Sequence, residues 1–240
     1  MGKAFDRTRL LIGGDNLEKL KNAKVIVFGI GGVGGFTAEA LIRSGVGNLT
    51  IVDSDKVEES NLNRQIFATV EVVGKDKVEV AKERLLSINP NAQIKVINTF
   101  YLPENAHLID LSEYDYVVDA IDTVTAKLEL IKRAKSLNVP VISCMGTGGK
   151  LDVSKLSIAD IYKTSGCPLA KVMRKELKAL GVENLKVVYS TEIVTRDQAE
   201  SENAEKKANG RAVPPSMIFV PATAGLMLAK EVIFDLIKGK

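Results

Sequence analysis

An unbroken apolar run, Val25-Ile26-Val27-Phe28, leads directly into Gly29-Ile30-Gly31-Gly32-Val33-Gly34, and a helix-forming segment follows from about Val33 to Ser44. Few architectures accommodate that order. A strand without polar alternation is one buried on both faces, as in a parallel sheet covered by helices. A GxGxxG loop between such a strand and a helix gives a tight turn whose backbone can approach a phosphate, with the helix N-terminus favouring its charge. The glycines alone would be a weak signal; between a buried strand and a helix they carry weight.

The same alternation continues. Strands are expected at Leu49–Val52, near Ile94–Ile97, at Tyr116–Asp119 and at Val141–Cys144, with helices over Lys75–Ile88 and about Val124–Leu137. The first of these helices should stop at Asn89-Pro90, because proline disfavours a further turn before it. This pattern predicts an α/β fold, a doubly wound, mostly parallel sheet. After Met145 the pattern loosens. Short strands at Leu156–Ile158, Val187–Tyr189 and Ile218–Val220, an amphipathic helix from Pro168 and a last helix over about 222–237 suggest antiparallel additions to the sheet. A single domain over 1–240 is expected, with a nucleotide-binding core at about 20–150 and an extension over about 151–240. Polar residues crowd 196–215, which reads as a mobile loop. Gly146-Thr147-Gly148-Gly149 has no apolar helix behind it and reads as a flexible connection. No internal repeat is present, so any second nucleotide-binding half must come from another subunit.

Composition narrows the chemistry. The 33 basic and 30 acidic residues leave a net charge of +3, too small to demand a nucleic-acid partner and too basic to exclude one. The chain has 2 cysteines, Cys144 and Cys167, in no CxxC pair, and 1 histidine, His107, which excludes most histidine-based metal sites. A reducing cytoplasm fits this usage. The N-terminal residues lack the apolar core of a signal peptide. The apolar stretch from Met217 to Ile237 is interrupted by Pro221, Lys230, Glu231 and Asp235, so no membrane span is expected.

Asp53 lies about 20 residues beyond the glycine loop, at the end of the second strand, where a carboxylate can accept both ribose hydroxyls. Asp55, Asn61, Arg64, Gln65 and Lys77 follow. A dehydrogenase leaves its pyrophosphate intact and relies on backbone amides. An enzyme that transfers an adenylyl group must hold a triphosphate and stabilise departing pyrophosphate, which calls for guanidinium and ammonium groups beside the glycines. Lys77 alone would read as a solvated surface charge; Asn61-x-x-Arg64-Gln65 beside the ribose carboxylate makes the group a site. Asp122, just beyond the fourth strand, is a natural Mg²⁺ partner facing the phosphates. Its neighbour Asp119 could instead cap the following turn.

These residues resemble the ubiquitin-activating-like adenylyltransferases, which include the molybdopterin-synthase and thiamine-pathway activators. The resemblance runs from Arg7-x-Arg9 through the glycine loop, Asp53-x-Asp55, Asn61-x-x-Arg64-Gln65, Lys77 and Asp122 to Pro221-Ala222-Thr223-Ala224-Gly225. It implies that Gly29, Gly31, Gly32, Gly34, Asp53, Asp55, Asn61 and Gln65 bind Mg²⁺-ATP. Arg64, Lys77 and Asp122 would act on its phosphates, and Arg9 would reach across a homodimer. Many relatives that activate small sulfur-carrier proteins hold zinc with two CxxC pairs, and this chain has none. The segment Thr164-Ser165-Gly166-Cys167-Pro168-Leu169-Ala170-Lys171 and its continuation to Leu177 instead resemble the tRNA threonylcarbamoyladenosine dehydratase branch. That resemblance implies an ATP-dependent cyclisation of the threonyl side chain in a tRNA. Activation of a sulfur-carrier C-terminus is the alternative, and a sulfur-transfer partner stays open.

Lys171, Arg174, Lys175 and Lys178 recur on one face of the helix after Cys167, opposite Leu169, Val172, Met173, Leu177 and Leu180. That basic ridge suits tRNA phosphates, with Lys206, Lys207 and Arg211 as an extension; an ordinary solvated face fits the spacing equally well. Cys167 precedes a helix-starting proline, a place that lowers a thiol pKa, but packing or positioning is the preferred reading, since cyclisation within one substrate needs no enzyme nucleophile. Cys144, ending an apolar strand, reads as core, and His107 is assigned no role.

Overall fold

The structure, a computed structural model, describes residues 3–193 and 214–238. Its frame is one seven-stranded sheet: β1 (Lys24–Phe28), β2 (Asn48–Asp53), β3 (Gln93–Asn98), β4 (Tyr116–Asp119), β5 (Val141–Cys144), β6 (Leu156–Asp160) and β7 (Lys186–Ser190), in the order β3-β2-β1-β4-β5-β7-β6. All pairs are parallel except β6 on β7. Five expected strands therefore form the parallel core, and the antiparallel addition is β6 alone, since β7 continues the parallel set beside β5.

Because side chains alternate across a strand, Val25 and Val27 enter one core and Ile26 and Phe28 the other. The first core receives α2 (Gly14–Asn22), α3 (Gly34–Ser44), α4 (Lys77–Ile88) and α7 (Phe219–Lys238); the second receives α5 (Val124–Ser136) and α6 (Pro168–Ala179). On α3 the apolar residues Ala38, Leu41 and Ile42 fall at helical spacing and are buried, and Gly45 ends the helix in the left-handed conformation. The last helix is fastened to the sheet by polar contacts as well. The Tyr116 hydroxyl donates to Asp235 at 2.7 Å, and Lys186 donates to Glu231 and Asp235 at 3.2 and 2.7 Å.

Three sequence expectations need correction. Ile218–Val220 is no strand: Phe219 already begins α7, and the Ala222 N–H donates to the Ile218 carbonyl at 3.0 Å. Pro221 in the first helical turn removes only an N–H that has no partner within the helix, so it does not delay the start to residue 222. Val172 and Leu180 are 44 % and 45 % exposed; the stripe that α6 buries is Ala170, Met173 and Leu177. Gly146–Gly149 is tied at one end, where Gly148 and Gly149 form a turn and the Gly149 N–H donates to the Pro215 carbonyl at 2.7 Å. Two N-terminal helices, α1 (Asp6–Ile12) and α2, were not foreseen. The expected mobile loop, with Lys206, Lys207 and Arg211, lies outside the described residues apart from Pro214 and Pro215.

Candidate active site

Strand order reverses between β1 and β4, and in open α/β sheets the crevice beyond the strand C-termini at that point is where ligands bind. The loop there leaves little freedom. The Gly29 N–H donates to the Val52 carbonyl at 2.8 Å, and the Ala120 N–H to the Phe28 carbonyl at 2.9 Å. Gly29 has φ +84, and a Cβ on it would lie 2.7 Å from the Ala120 carbonyl oxygen. On Gly34, at the start of α3, a Cβ would fall 1.8 Å from the Gly29 carbonyl oxygen. Only hydrogen fits at either place, and the turn aims the first N–H groups of α3 at the crevice.

Asp53 ends β2 half-buried. Its Oδ2 accepts from the Ile30 N–H at 2.6 Å and its Oδ1 from the Asp55 N–H at 2.8 Å. Each oxygen keeps a second lone pair, so the carboxylate can shape the glycine loop and still accept from a hydroxyl.

The stretch Asn61–Gln65 lies against the glycines. Gln65 Nε2 is 3.8 Å from the place a Cβ on Gly31 would occupy, and Arg64 Cγ is 3.6 Å from the equivalent point on Gly32. Asn61 is buried and closes a capping box, its Oδ1 accepting from the Glu58 N–H at 3.3 Å. Arg64 Nη1 donates to the Ser60 carbonyl at 2.7 Å and to Asn63 Oδ1 at 3.0 Å. Among the described residues the Arg64 guanidinium meets neutral oxygens and no carboxylate. A cation that no described carboxylate offsets thus stands beside a phosphate-shaped loop.

Lys77 is different. Its ammonium pairs with Asp55 at 2.8 Å, and its N–H donates to the Asp55 carbonyl at 2.9 Å. The lysine side chain is 9 % exposed and the aspartate 61 %, so Asp55 holds Lys77 in place rather than leaving it solvated.

Asp122 is exposed on the loop between β4 and α5, where Thr123 Oγ1 donates to its Oδ1 at 3.3 Å. Asp119 is fully buried, accepts from the Ile121 N–H at 3.1 Å and pairs with a fully buried Lys127 at 2.8 Å. Asp119 thus has the structural role read for it, capping the turn at Ile121. Among the described residues no group of three histidine, cysteine or acidic side chains could enclose a metal ion. The exposed Asp122 carboxylate suits Mg²⁺, which takes one or two carboxylates and completes its shell with phosphate oxygens and water.

Two contributors escaped the sequence reading. Lys127 looked like any helix-surface lysine, and nothing local signals its burial. The segment after residue 213 crosses the site: Asn63 Nδ2 donates to the Ser216 carbonyl at 2.9 Å, and Pro221 Cβ lies 3.4 Å from where a Cβ on Gly32 would sit. The adjacent prolines Pro214 and Pro215 were the available sign of a rigid connection.

Arg9 is not brought to its own glycine loop. It sits on α1, pairs with Asp6 at 2.8 Å and lines a cavity with Asn48 and Gln93, at the N-terminal ends of β2 and β3. That is the opposite edge of the sheet. No residue of α1 is buried, and Leu10 and Leu11 are each 85 % exposed.

On α6, Lys171, Lys175 and Lys178 are exposed, but Arg174 turns inward, where its Nη1 donates to the carbonyl and hydroxyl of Thr164. The basic ridge therefore retains three of its four cations. Cys144 is core, and burial pushes its thiol up to about 12. Cys167 is enclosed at the N-terminus of α6 and His107 lies exposed in a short 3-10 turn, Ala106–Leu108.

Comparison with known proteins identifies the family. A model of the ThiF family matches residues 5–238. The chain is 42 % identical over 240 residues to the tRNA threonylcarbamoyladenosine dehydratase of Bacillus subtilis, covering 98 % of this chain and 94 % of that protein. Its fold superposes with TM-score 0.85 on the Escherichia coli tRNA N6-threonylcarbamoyladenosine dehydratase TcdA in complex with ATP, at 32 % identity, covering 98 % of this chain and 94 % of that one. The molybdopterin-synthase adenylyltransferase of Escherichia coli is 38 % identical over 130 residues, 54 % of this chain and 51 % of that protein.

Proposed function

The chain belongs to the ThiF family, and from that premise we propose that it is an ATP-dependent tRNA threonylcarbamoyladenosine dehydratase. The observation that carries the reading is the Arg64 guanidinium, uncompensated by any carboxylate among the described residues and set against Gly32 in a phosphate-binding loop. The full-length likeness to dehydratases supports the substrate, against a likeness to the molybdopterin-synthase activator that spans about half the chain.

In this reading ATP lies with its ribose on Asp53 and its phosphates over Gly31–Gly34. The threonyl carboxylate of the modified adenosine attacks the α-phosphorus and the bond from that phosphorus to the α,β-bridging oxygen breaks, so pyrophosphate leaves and an acyl adenylate forms. Arg64, Lys77 and Arg9 of a second copy stabilise charge on the transferring and leaving phosphates as preorganised electrostatics. The carbamoyl group of the same side chain then attacks the acyl carbon, loses a proton and expels AMP. One carboxylate oxygen departs with AMP, so the nucleoside loses the elements of water. Both reacting groups belong to one side chain, which supplies the proximity a second substrate site would otherwise provide.

Asp122 would hold Mg²⁺, which when bound offsets the repulsion between that carboxylate and the phosphates. Asp55 aligns Lys77, and Asn61 and Gln65 add neutral donors. A homodimer brings the distant Arg9 into a neighbour's site, and exposed Leu10 and Leu11 are apolar surface that such a contact would cover. Lys171, Lys175 and Lys178 face the tRNA backbone. Among the described residues no helix is long and apolar enough to cross a membrane; a cytoplasmic setting agrees with the tRNA substrate.

The test is incubation with Mg²⁺-ATP and tRNA bearing threonylcarbamoyladenosine, followed by mass spectrometry of the nucleosides. Loss of one water from the modified nucleoside, with AMP released, is expected. An unchanged nucleoside, together with ATP–pyrophosphate exchange stimulated only by a sulfur-carrier protein, would move the chain to the other branch.

A further inference from the structure

Beneath the crevice lies a pair of charges that no substrate contact explains. Lys127 and Asp119 are both fully buried, on α5 and at the end of β4, with Nζ–Oδ2 at 2.8 Å. A lysine ammonium has three donors, and here all three are used: the other two reach the Ile121 carbonyl at 3.0 Å and the Cys144 carbonyl at 2.8 Å. Asp119 is equally occupied, accepting from the Ser143 hydroxyl at 2.5 Å and from the Ile121 N–H at 3.1 Å. Ile121 is therefore held at both its N–H and its carbonyl, one by each member of the pair.

A buried ion pair adds little stability compared with an apolar pair of similar volume, because desolvation offsets the attraction. What this one does is geometric. It joins the ends of β4 and β5 to the first turn of α5 and fixes the short loop between them. That loop sets the Ala120 carbonyl against Gly29 and carries Asp122.

We propose that Lys127, through Asp119 and Ile121, is a positioning residue of the adenylation site: it holds the 120–123 loop, and with it Asp122, at the height the phosphates require. The inference rests on the proposed adenylation and extends it to a residue that touches no substrate. A loop displaced by about 1 Å is enough to cost on the order of a hundredfold in rate.

The test replaces the pair with a neutral one, Lys127→Met together with Asp119→Asn, in the full-length protein. The asparagine still accepts from Ile121 and keeps the interior uncharged, while the Ile121 and Cys144 carbonyls lose their anchor. AMP release with Mg²⁺-ATP and the modified tRNA gives kcat, and a fluorescent ATP analogue gives nucleotide affinity. A kcat lower by about tenfold or more, with affinity within about threefold of the parent, is expected for a group that acts through placement. A kcat within about twofold of the parent in a folded double variant overturns the inference.

Should that variant not fold, Lys127→Gln together with Asp119→Asn carries the comparison, since it also removes the ion pair but keeps a polar side chain in the space the ammonium fills. A kcat lowered by about threefold or more at unchanged affinity supports the inference and an unchanged kcat overturns it. Asp122→Asn, titrated with Mg²⁺ alongside, separates the two readings. An unmoved titration removes the metal role of Asp122 but leaves the kcat comparison for Lys127 standing.

Discussion

Replacing Arg64 with alanine is expected to lower turnover by about a hundredfold or more while changing ATP affinity far less, by analogy with loss of a single preorganised donor from a charge-stabilising site. The guanidinium stands beside Gly32 and donates to the Ser60 carbonyl and Asn63 Oδ1. Both are neutral acceptors, so among the described residues no carboxylate competes with a phosphate for the charge. Charge on the departing pyrophosphate is greatest as the bond to the α-phosphorus breaks, which is why the loss should appear in kcat rather than in binding. Lysine at the same position would keep the charge but not the planar fork that grips two oxygens, and should recover only part of the rate. Single-turnover AMP release at saturating ATP reads the effect. A variant with near-normal turnover would remove Arg64 from the mechanism.

Gly34→Ala should be severely damaging. The added Cβ would lie 1.8 Å from the Gly29 carbonyl oxygen, and 3.2 Å from the Ala120 Cβ. The first obstacle is backbone and cannot rotate away. The start of α3 and the loop must separate, which costs roughly 2–4 kcal/mol if the rest of the fold absorbs the shift. In a protein of this length that corresponds to a Tm lower by roughly 5–15 °C. Separation also turns the α3 N–H groups away from the phosphates, so ATP binding should be lost even in the fraction that folds. Thermal unfolding with and without ATP distinguishes the two effects: the parent should gain stability with nucleotide and the variant should not. An alanine variant that ATP still stabilises as strongly as the parent would contradict the role given to this turn.

The parts of this fold that were legible in sequence are those whose signal is local. Val25–Phe28 and the Tyr116–Val118 part of β4 are apolar because both faces are covered, and their burial shows it. The glycine loop was legible from its spacing between a buried strand and a helix, and at Gly29 and Gly34 the structure supplies the steric reason, the Ala120 and Gly29 carbonyl oxygens respectively. Ile218–Val220 was misread for a related reason: a short apolar run fits a strand or a buried helix equally well, and Pro221 looked like a boundary rather than a first-turn residue. The α1 and α2 segments are short and largely polar, so their periodicity is faint.

Charged residues were legible as a set but not in their pairings. Sequence placed Arg64 and Lys77 together as cations, and only the structure separates an Arg64 facing neutral oxygens from a Lys77 tied to Asp55. The inward turn of Arg174 and the burial of Lys127 depend on contacts 10 and 17 residues away along the chain, to Thr164 and Cys144. Arg9 carried no local signal of its position, since its distance from the glycine loop is a property of the assembled sheet.

The most direct test of the whole account is a crystal structure of the protein with Mg²⁺ and a non-hydrolysable ATP analogue. The account predicts adenosine on Asp53, phosphates over Gly31–Gly34, and the Arg64 guanidinium moved from Ser60 onto the terminal phosphates, joined there by Arg9 of a second copy. Phosphates that run into solvent, with Arg64 still on Ser60 and no neighbouring chain within reach, would contradict it.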